Sequence, residues 1–159
     1  MESLAVNFQP RQTVFTRDEL VAQLPRLLAV DSPPLEVVEF GHCDFTIQGT
    51  EQSIWAFRGY KRGFASGLLF WVKCLQAEGW ESEHAQRTWC SPLNGEDFCR
   101  LVTHWSRELL KPVPDFLTHL DSFRSGLQIV MPVGGGCDEI GAVAELGEAF
   151  VAFRWSSSA

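Results

Sequence analysis

The sequence predicts a single α+β domain with a mainly antiparallel sheet of about five to six strands. Its 159 residues, of which 45% are hydrophobic, are enough for one packed core. Apolar residues recur with a helical period in two segments and alternate with a period of two elsewhere. Because the strand segments form runs, we expect a domain over residues 1–155, with an N-terminal helix and a central helix pair packed on the sheet. Residues 156–159 are expected to form a frayed tail.

The first helix is predicted from a capping box, Thr16 to Glu19, in which each side chain accepts a hydrogen bond from the other residue's backbone N–H. An apolar stripe follows at helical spacing: Leu20, Leu24, Leu27 and Leu28. Pro25 is expected to bend this helix or limit its length, and Asp31–Pro34 to end it.

Strands are predicted from residue 35 onward, where apolar and polar residues alternate. The alternating apolar positions are Val37, Phe45, Ile47, Trp55 and Phe57. Short turn-like segments at Gly41–Asp44 and Gly49–Gln52 predict antiparallel neighbours. The nearly continuous apolar run Ser66–Leu75 favours a strand covered on both faces, with a buried helix as the open alternative.

The second half contains the clearest amphipathic helix. Asn94 is its expected N-cap, and Lys111–Pro114 its end. Its apolar positions are Phe98, Leu101, Val102, Trp105 and Leu109. A short helix over Asp115–Leu120 completes the predicted pair. Two further strands, Leu127–Val133 and Ala149–Trp155, are expected on either side of a glycine-rich connection, Gly134–Gly147.

Charge and composition exclude several classes of protein. The net charge of −7 argues against binding to nucleic acid or anionic membranes, which depends on Lys and Arg. The first ten residues lack a signal peptide's basic and apolar regions, and the longest apolar run, Leu68–Val72, is too short to cross a bilayer. The five cysteines, an odd number, are expected to be reduced thiols in a cytoplasmic protein.

No metal, cofactor or catalytic residue is predicted. Cys90, Cys99 and His104, with His84 nearby, are the best metal-ligand set, but no CxxC or CxxH pair occurs. Cys99 and His104 would lie about 140° apart around a helix axis. A thiol nucleophile with a histidine base, such as the adjacent His42 and Cys43, stays possible because such pairs are joined by the fold.

One loop suggests an alternative, enzymatic function. The segment Arg62–Gly67 follows a predicted strand and precedes Leu68 and Leu69. It resembles the acyl-coenzyme A loop of the GCN5-related acetyltransferases over some 20 residues. The resemblance implies that backbone amides at a helix start bind a pyrophosphate, and it requires residues 68–78 to be helical. The implied function is that of a small acyltransferase.

The tryptophans fall into two groups. Trp55, Trp71 and Trp105 fit core faces, whereas Trp80, Trp89 and Trp155 lie near the ends of predicted elements, where tryptophan is often an interface anchor. A further alternative is a binder of an apolar small molecule in an aromatic pocket. Its walls would be Trp55, Phe57, Phe70 and Trp71.

The charges are segregated along the chain. Residues 52–77 contain four basic and no acidic residues, and residues 125–153 contain four acidic and no basic residues. The leading hypothesis is therefore a non-enzymatic acidic module that binds another protein with a basic surface, such as an immunity or inhibitor protein or a secretion chaperone. The expected partner-binding residues are Asp138, Glu139, Glu145 and Glu148, with Trp89 and Trp155 as aromatic anchors.

Overall fold

The structure is a computed structural model that describes residues 13–79, 87–133 and 137–157, without the side chains of residues 132, 133, 137 and 138. It confirms the α+β class and the antiparallel sheet. The elements in chain order are α1 (Arg17–Leu28), β1 (Glu36–Phe40), β2 (Gln52–Tyr60), α2 (Gly67–Ala77), β3 (Trp89–Leu93), α3 (Gly95–Trp105), β4 (Phe123–Val133), β5 (Cys137–Leu146) and β6 (Ala149–Ser157).

The six strands form one sheet in the order β1-β2-β6-β5-β4-β3, and every neighbouring pair is antiparallel. Strands β4, β5 and β6 follow one another in sequence and space, and the β5–β6 turn uses Gly147 at a φ of +57°. Strand β2 then pairs with β6, which brings the two halves of the chain together.

The sheet separates two hydrophobic clusters. Helices α1 and α2 pack on one face, which we call the α1/α2 face, and α3 with the short 3-10 turn Asp115–Leu117 packs on the other, the α3 face. Alternation along each strand assigns its residues to the two faces. On β6, for example, Phe150 and Ala152 belong to the first cluster, whereas Val151 and Phe153 belong to the second.

Both predicted helix starts are confirmed. The Thr16 hydroxyl and the Glu19 carboxylate form the reciprocal capping box of α1, which continues past Pro25 to Leu28. The Asn94 side chain accepts a hydrogen bond from the Asp97 N–H at 2.8 Å and caps α3. The predicted helix over Asp115–Leu120, the second of the expected pair, does not form in full. Only Asp115–Leu117 is helical there, as a single 3-10 turn.

The favoured strand at Ser66–Leu75 is also wrong. This segment forms α2, which begins after the N-cap Ser66 and lies between α1 and the sheet. Every residue of α2 from Gly67 to Leu75 is buried, so the polar face that normally reveals a helical period is missing.

Three smaller predictions also need correction. Phe45 and Ile47 lie in or beside 3-10 turns, His42–Asp44 and Ile47–Gly49, so no strand separates β1 from β2. The expected glycine-rich connection contains β5. Ser156 and Ser157 pair with β2 and extend β6 into the expected tail.

Candidate functional site

A row of apolar side chains crosses four strands on the α3 face. Trp89 on β3 is opposite Val130 on β4, Val130 is opposite Ile140 on β5, and Ile140 is opposite Trp155 on β6. Residues directly opposite one another in antiparallel strands share a face. Ile140 is buried, Val130 and Trp155 are half-buried, and Trp89 is 71% exposed. Two predicted anchors, Trp89 and Trp155, therefore lie in one cross-strand row.

Helix α3 adds aromatic rings to this row. The rings of Trp105, the last residue of α3, and Trp155 have centroids 4.3 Å apart, and the His104 ring meets the Trp105 ring edge-on at 4.8 Å. The Trp155 Nε1–H donates a hydrogen bond to Gln52 Oε1 at 2.6 Å. The half-buried indole thus has a fixed orientation and a satisfied polar group.

A groove of about 440 Å³ runs beside the Trp105 and His104 rings, between α3, the end of β3 and the middle of β4. Its walls are Pro92, Leu93, Asp97, Arg100, Leu101, His104, Trp105 and Gln128. Arg100 donates a hydrogen bond to Asp97 Oδ1 at 2.7 Å, so the rim carries a compensated ion pair. We call Trp89, Trp105, Val130, Trp155 and this groove the aromatic face.

The predicted acidic residues do not form one surface. Glu139 accepts a hydrogen bond from Arg154 Nη2 at 2.7 Å, and Glu145 forms an ion pair with Lys61 and accepts a hydrogen bond from Thr13 Oγ1 at 3.3 Å. The two carboxylates lie on the α1/α2 face, six residues or about 20 Å apart along β5. Each already has a cation of this chain as its partner.

The other two acidic positions lie elsewhere. Glu148 is exposed in the β5–β6 turn, and no ion pair to it occurs within the described ranges. The backbone of Asp138 is opposite Pro132 in the β4–β5 pair, and its side chain lies outside the description. Among the described acidic candidates, Glu148 is therefore the one with a free carboxylate.

The Arg62–Gly67 loop does lead into a helix, as its resemblance to an acyl-coenzyme A loop requires. The Ser66 hydroxyl accepts a hydrogen bond from the Leu69 N–H at 3.1 Å. Arg62 is exposed, with its guanidinium carbon 4.9 Å from the centre of the Tyr60 ring. Lys61, by contrast, is buried against Glu145. The loop thus offers one exposed cation beside the start of α2.

The cysteine and histidine candidates remain separate. No group of three potential metal ligands occurs in the part of the chain that the structure describes, and His84 lies outside it. Cys90 packs against the α1/α2 cluster, whereas Cys99 lies on α3. Cys43 Sγ is 3.4 Å from His42 Nε2 in an exposed turn. This pair has the shortest thiol–imidazole contact found among the described residues.

The suggested aromatic pocket corresponds to packed core. Phe57, Phe70 and Trp71 are fully buried, and Trp55 stacks on Phe57 with ring centroids 6.0 Å apart. Trp80 lies outside the described residues. These four side chains therefore stabilise the fold on the α1/α2 face.

No family model, curated protein or solved structure matches this chain. Its function must therefore be inferred from its own geometry. None of the helices in the described ranges has the length and apolar character needed to cross a membrane.

A buried charge cluster was not predicted from the sequence. Arg154, 2% exposed, lies between Glu78 at the end of α2, with Nη1 2.9 Å from Oε2, and Glu139 on β5. Its guanidinium carbon is 5.8 Å from the centre of the Trp71 ring. The alternation along β6 could have revealed this cluster. Arg154 lies at every second position after the core residues Phe150 and Ala152, so its side chain points to the same face of the sheet.

The cluster is electrostatically strained. Burial raises the pKa of Glu78 to about 7, although Arg154 acts in the opposite direction and Glu139 and Glu39 add to the rise. The Arg154 Nε–H and the Trp71 Nε1–H have no hydrogen-bond acceptor among the described residues. Arg154 Nη1 and Glu78 Oε2 form an ion pair at 2.9 Å.

Proposed function

We propose that this chain is a non-enzymatic protein-binding module whose docking surface is the aromatic face. The observation that carries the proposal is the 71% exposed Trp89, which lies in one cross-strand row with Trp155. An exposed indole beside half-buried apolar side chains leaves apolar area in water that a partner can cover.

The composition of this face supports a protein partner. Tryptophan is enriched among the residues that contribute most to protein–protein binding, because it buries a large area and retains one hydrogen-bond donor. The centre of the face is aromatic and aliphatic, and the groove rim carries Asp97, Arg100 and His104. An apolar centre with a polar rim is the usual anatomy of a protein interface.

The acidic net charge has a different role in this proposal. Because Glu139 already pairs with Arg154 and Glu145 with Lys61, these carboxylates are poor contact residues for a partner. The net charge of −7 still favours approach of a partner with a basic surface, since long-range steering depends on the summed field of the protein. An inhibitor or immunity protein, or a secretion chaperone, fits this combination of steering charge and aromatic anchor.

The experiment compares two truncations in one binding assay. Affinity capture from the source cells with the wild-type chain identifies the main bound protein, and calorimetry measures its affinity for Trp89→Ala and Val37→Ala. Val37 is the control, because it is 41% exposed and lies on the opposite edge strand. We expect at least a tenfold loss of affinity for Trp89→Ala, since anchor truncations cost about 2 kcal/mol or more. Equal affinity of Trp89→Ala and wild type would refute the proposed face.

A small acyltransferase is the second candidate, and the observation that favours it is the start of α2 directly after the Arg62–Gly67 loop. Thermal unfolding with and without acetyl-coenzyme A tests it. A ligand at 100 times its dissociation constant stabilises the native state by about 2.7 kcal/mol. Stabilisation that is lost in Arg62→Ala would favour the enzyme, and an unchanged melting temperature at millimolar ligand would exclude it.

A further inference from the structure

Strand β1 lies at one edge of the sheet and pairs with β2 on one side only. On its other side, the N–H and C=O groups of every second residue point away from β2. Within the described ranges, none of these groups has a hydrogen bond to another backbone group. Strand β1 contains no proline, whereas the other edge strand, β3, contains Pro92, which has no N–H to donate. Of the two edges, β1 is therefore the one with a complete set of backbone donors.

The two faces of β1 differ in charge. On the α3 face, Glu36 accepts a hydrogen bond from Arg58 Nε at 2.8 Å, so its charge is compensated. Val37 and Glu39 belong to the α1/α2 face, because the β2 residues opposite them pack in that cluster. Both are exposed, and in the part of the chain that the structure describes Glu39 has no ion pair. The uncompensated charge of this edge therefore lies beside an exposed valine.

A groove of about 530 Å³ continues the α1/α2 face beside β1. Leu35 and Val37 contribute to its apolar wall, and Asp31 adds an exposed carboxylate that forms no ion pair with a described residue. Lys73 also lines the groove, but it is buried and its ammonium donates hydrogen bonds to Val30 O and to a glutamine side chain. The groove thus presents apolar surface and negative charge along the same edge.

We propose that β1 binds an extended segment of a partner protein by strand addition, and that this segment carries a lysine or arginine two positions away from an aliphatic residue. A strand paired with β1 places every second side chain on the α1/α2 face. The cation then lies opposite Glu39, and the aliphatic side chain covers Val37. Opposite charges on paired strands stabilise the pairing. This surface goes beyond the proposed binding function, since it lies at the opposite edge of the sheet from Trp89.

A second copy of this chain does not fit this edge. Residues 29–41, which include all of β1, contain no Lys or Arg, so no register of two β1 strands places a cation of β1 opposite Glu39. In the register centred on Glu39, the two carboxylates would face each other, which is destabilising. Each copy also carries a net charge of −7. Charge complementarity therefore favours a basic segment of a different protein.

Two synthetic heptapeptides test the proposal on the free wild-type chain. The probe is Thr-Lys-Thr-Val-Thr-Lys-Thr with both ends blocked, and its matched control has glutamate in place of lysine. In a nitrogen-15 NMR titration, we expect the lysine peptide to shift the amide resonances of Glu36–Phe40 and to leave those of Trp89–Leu93 unchanged. It should also slow hydrogen exchange of the outward amides of β1. We expect it to bind at least about fivefold more tightly than the glutamate peptide.

Charge reversal assigns the contact to one residue. Glu39→Lys should weaken binding of the lysine peptide about fivefold and strengthen binding of the glutamate peptide. Glu148→Lys is the matched control, because it changes the net charge equally but lies in the β5–β6 turn, and it should leave the preference for lysine unchanged. If Glu39→Lys does not fold, the comparison of the two peptides on the wild type decides.

Three results would overturn the proposal: no shift of β1 amides at millimolar lysine peptide, equal affinity for the two peptides, or unchanged binding in Glu39→Lys. Dimerisation through β1, seen as β1 shifts that depend on protein concentration, would also refute it, because a second copy would then occupy the edge. In the capture experiment, a loss of affinity confined to Val37→Ala would support this edge and refute the aromatic face. The two proposals can therefore fail separately.

Discussion

The rings of Trp105 and Trp155, tilted by 39° with centroids 4.3 Å apart, join the end of α3 to the last strand of the sheet. Trp105 is half-buried in this contact, whereas Trp89 at the other end of the aromatic row is 71% exposed. The same residue type thus has a structural role at one end of the face and is available for binding at the other.

Alanine substitution should separate these two roles. We expect Trp105→Ala to lower the free energy of unfolding by about 2 kcal/mol, less than for a fully buried tryptophan. Trp89→Ala should change it by no more than about 0.5 kcal/mol, because an exposed side chain contributes little to stability. Chemical denaturation monitored by circular dichroism measures both. Comparable destabilisation by the two substitutions would contradict the half-buried position of Trp105 and the exposed position of Trp89.

Gly141 should resist substitution by alanine. A Cβ atom there would lie 2.7 Å from Trp71 Cη2, and the Trp71 ring is fully buried and has little room to move. We expect Gly141→Ala to cost about 1–3 kcal/mol and to alter the near-ultraviolet circular dichroism of Trp71. Gly41→Ala is the matched control, since its Cβ would meet no atom within 4 Å. Equal melting temperatures for the two variants would show that the sheet and α2 are not in close contact here.

Global stability should decline from mildly acidic to mildly alkaline pH. The folded-state pKa of Glu78, about 7, exceeds its reference value of 4.5, so its contribution is complete below pH 4.5 and is lost as the pH rises through 7. The loss is at most about 3.5 kcal/mol, at about 1.4 kcal/mol for each pKa unit between the two values. Urea denaturation at pH 5 and pH 8 should show it in the wild type and not in Glu78→Gln.

Asp44 acts in a separate pH range. The Lys111 side chain and the Gly41 N–H lower its pKa below 3.8, so its contribution is present above that value and is lost only in stronger acid. Asp44 therefore cannot mask a loss of stability between pH 5 and pH 8. If the stability of the wild type does not change over this range, the raised pKa of Glu78 is contradicted.

The cysteines should differ in their reactivity. Burial raises the pKa of Cys90 to about 11 and that of Cys74 well above its usual value, whereas Cys43 is exposed beside an imidazole. Because the thiolate is the nucleophile, iodoacetamide should alkylate Cys43 before Cys74 and Cys90 in the native protein, and these two only after unfolding. Peptide mass spectrometry over time measures the order. Alkylation of Cys74 at the same rate as Cys43 would contradict the fold.

Local sequence signals predicted the helix starts and the strands that have one polar face. Thr16 with Glu19, and Asn94 with its following acidic residues, identify α1 and α3 because capping is a property of a few adjacent residues. Trp55 and Phe57 alternate with smaller or polar residues, which identified β2.

The signals that failed are those in which tertiary burial or pairing replaces local preference. Helix α2 lacks a polar face, so its period cannot be detected. Strand β5 was missed because it contains acidic residues and glycine, and Glu139 and Glu145 are tolerated there through Arg154 and Lys61, which are distant in sequence. The aromatic row likewise depends on the register of four strands, which no short segment contains.

The adjacent residues Arg154 and Trp155 set a limit on how β6 can vary. A deletion of one residue between Ala149 and Phe153 would turn the buried guanidinium towards the aromatic rings and the indole towards the carboxylates on the other side. Both misplaced groups would lose their partners at once. Length changes in this strand should therefore be far less tolerated than substitutions, and β6 is the wrong place to insert a tag, a linker or a fused domain.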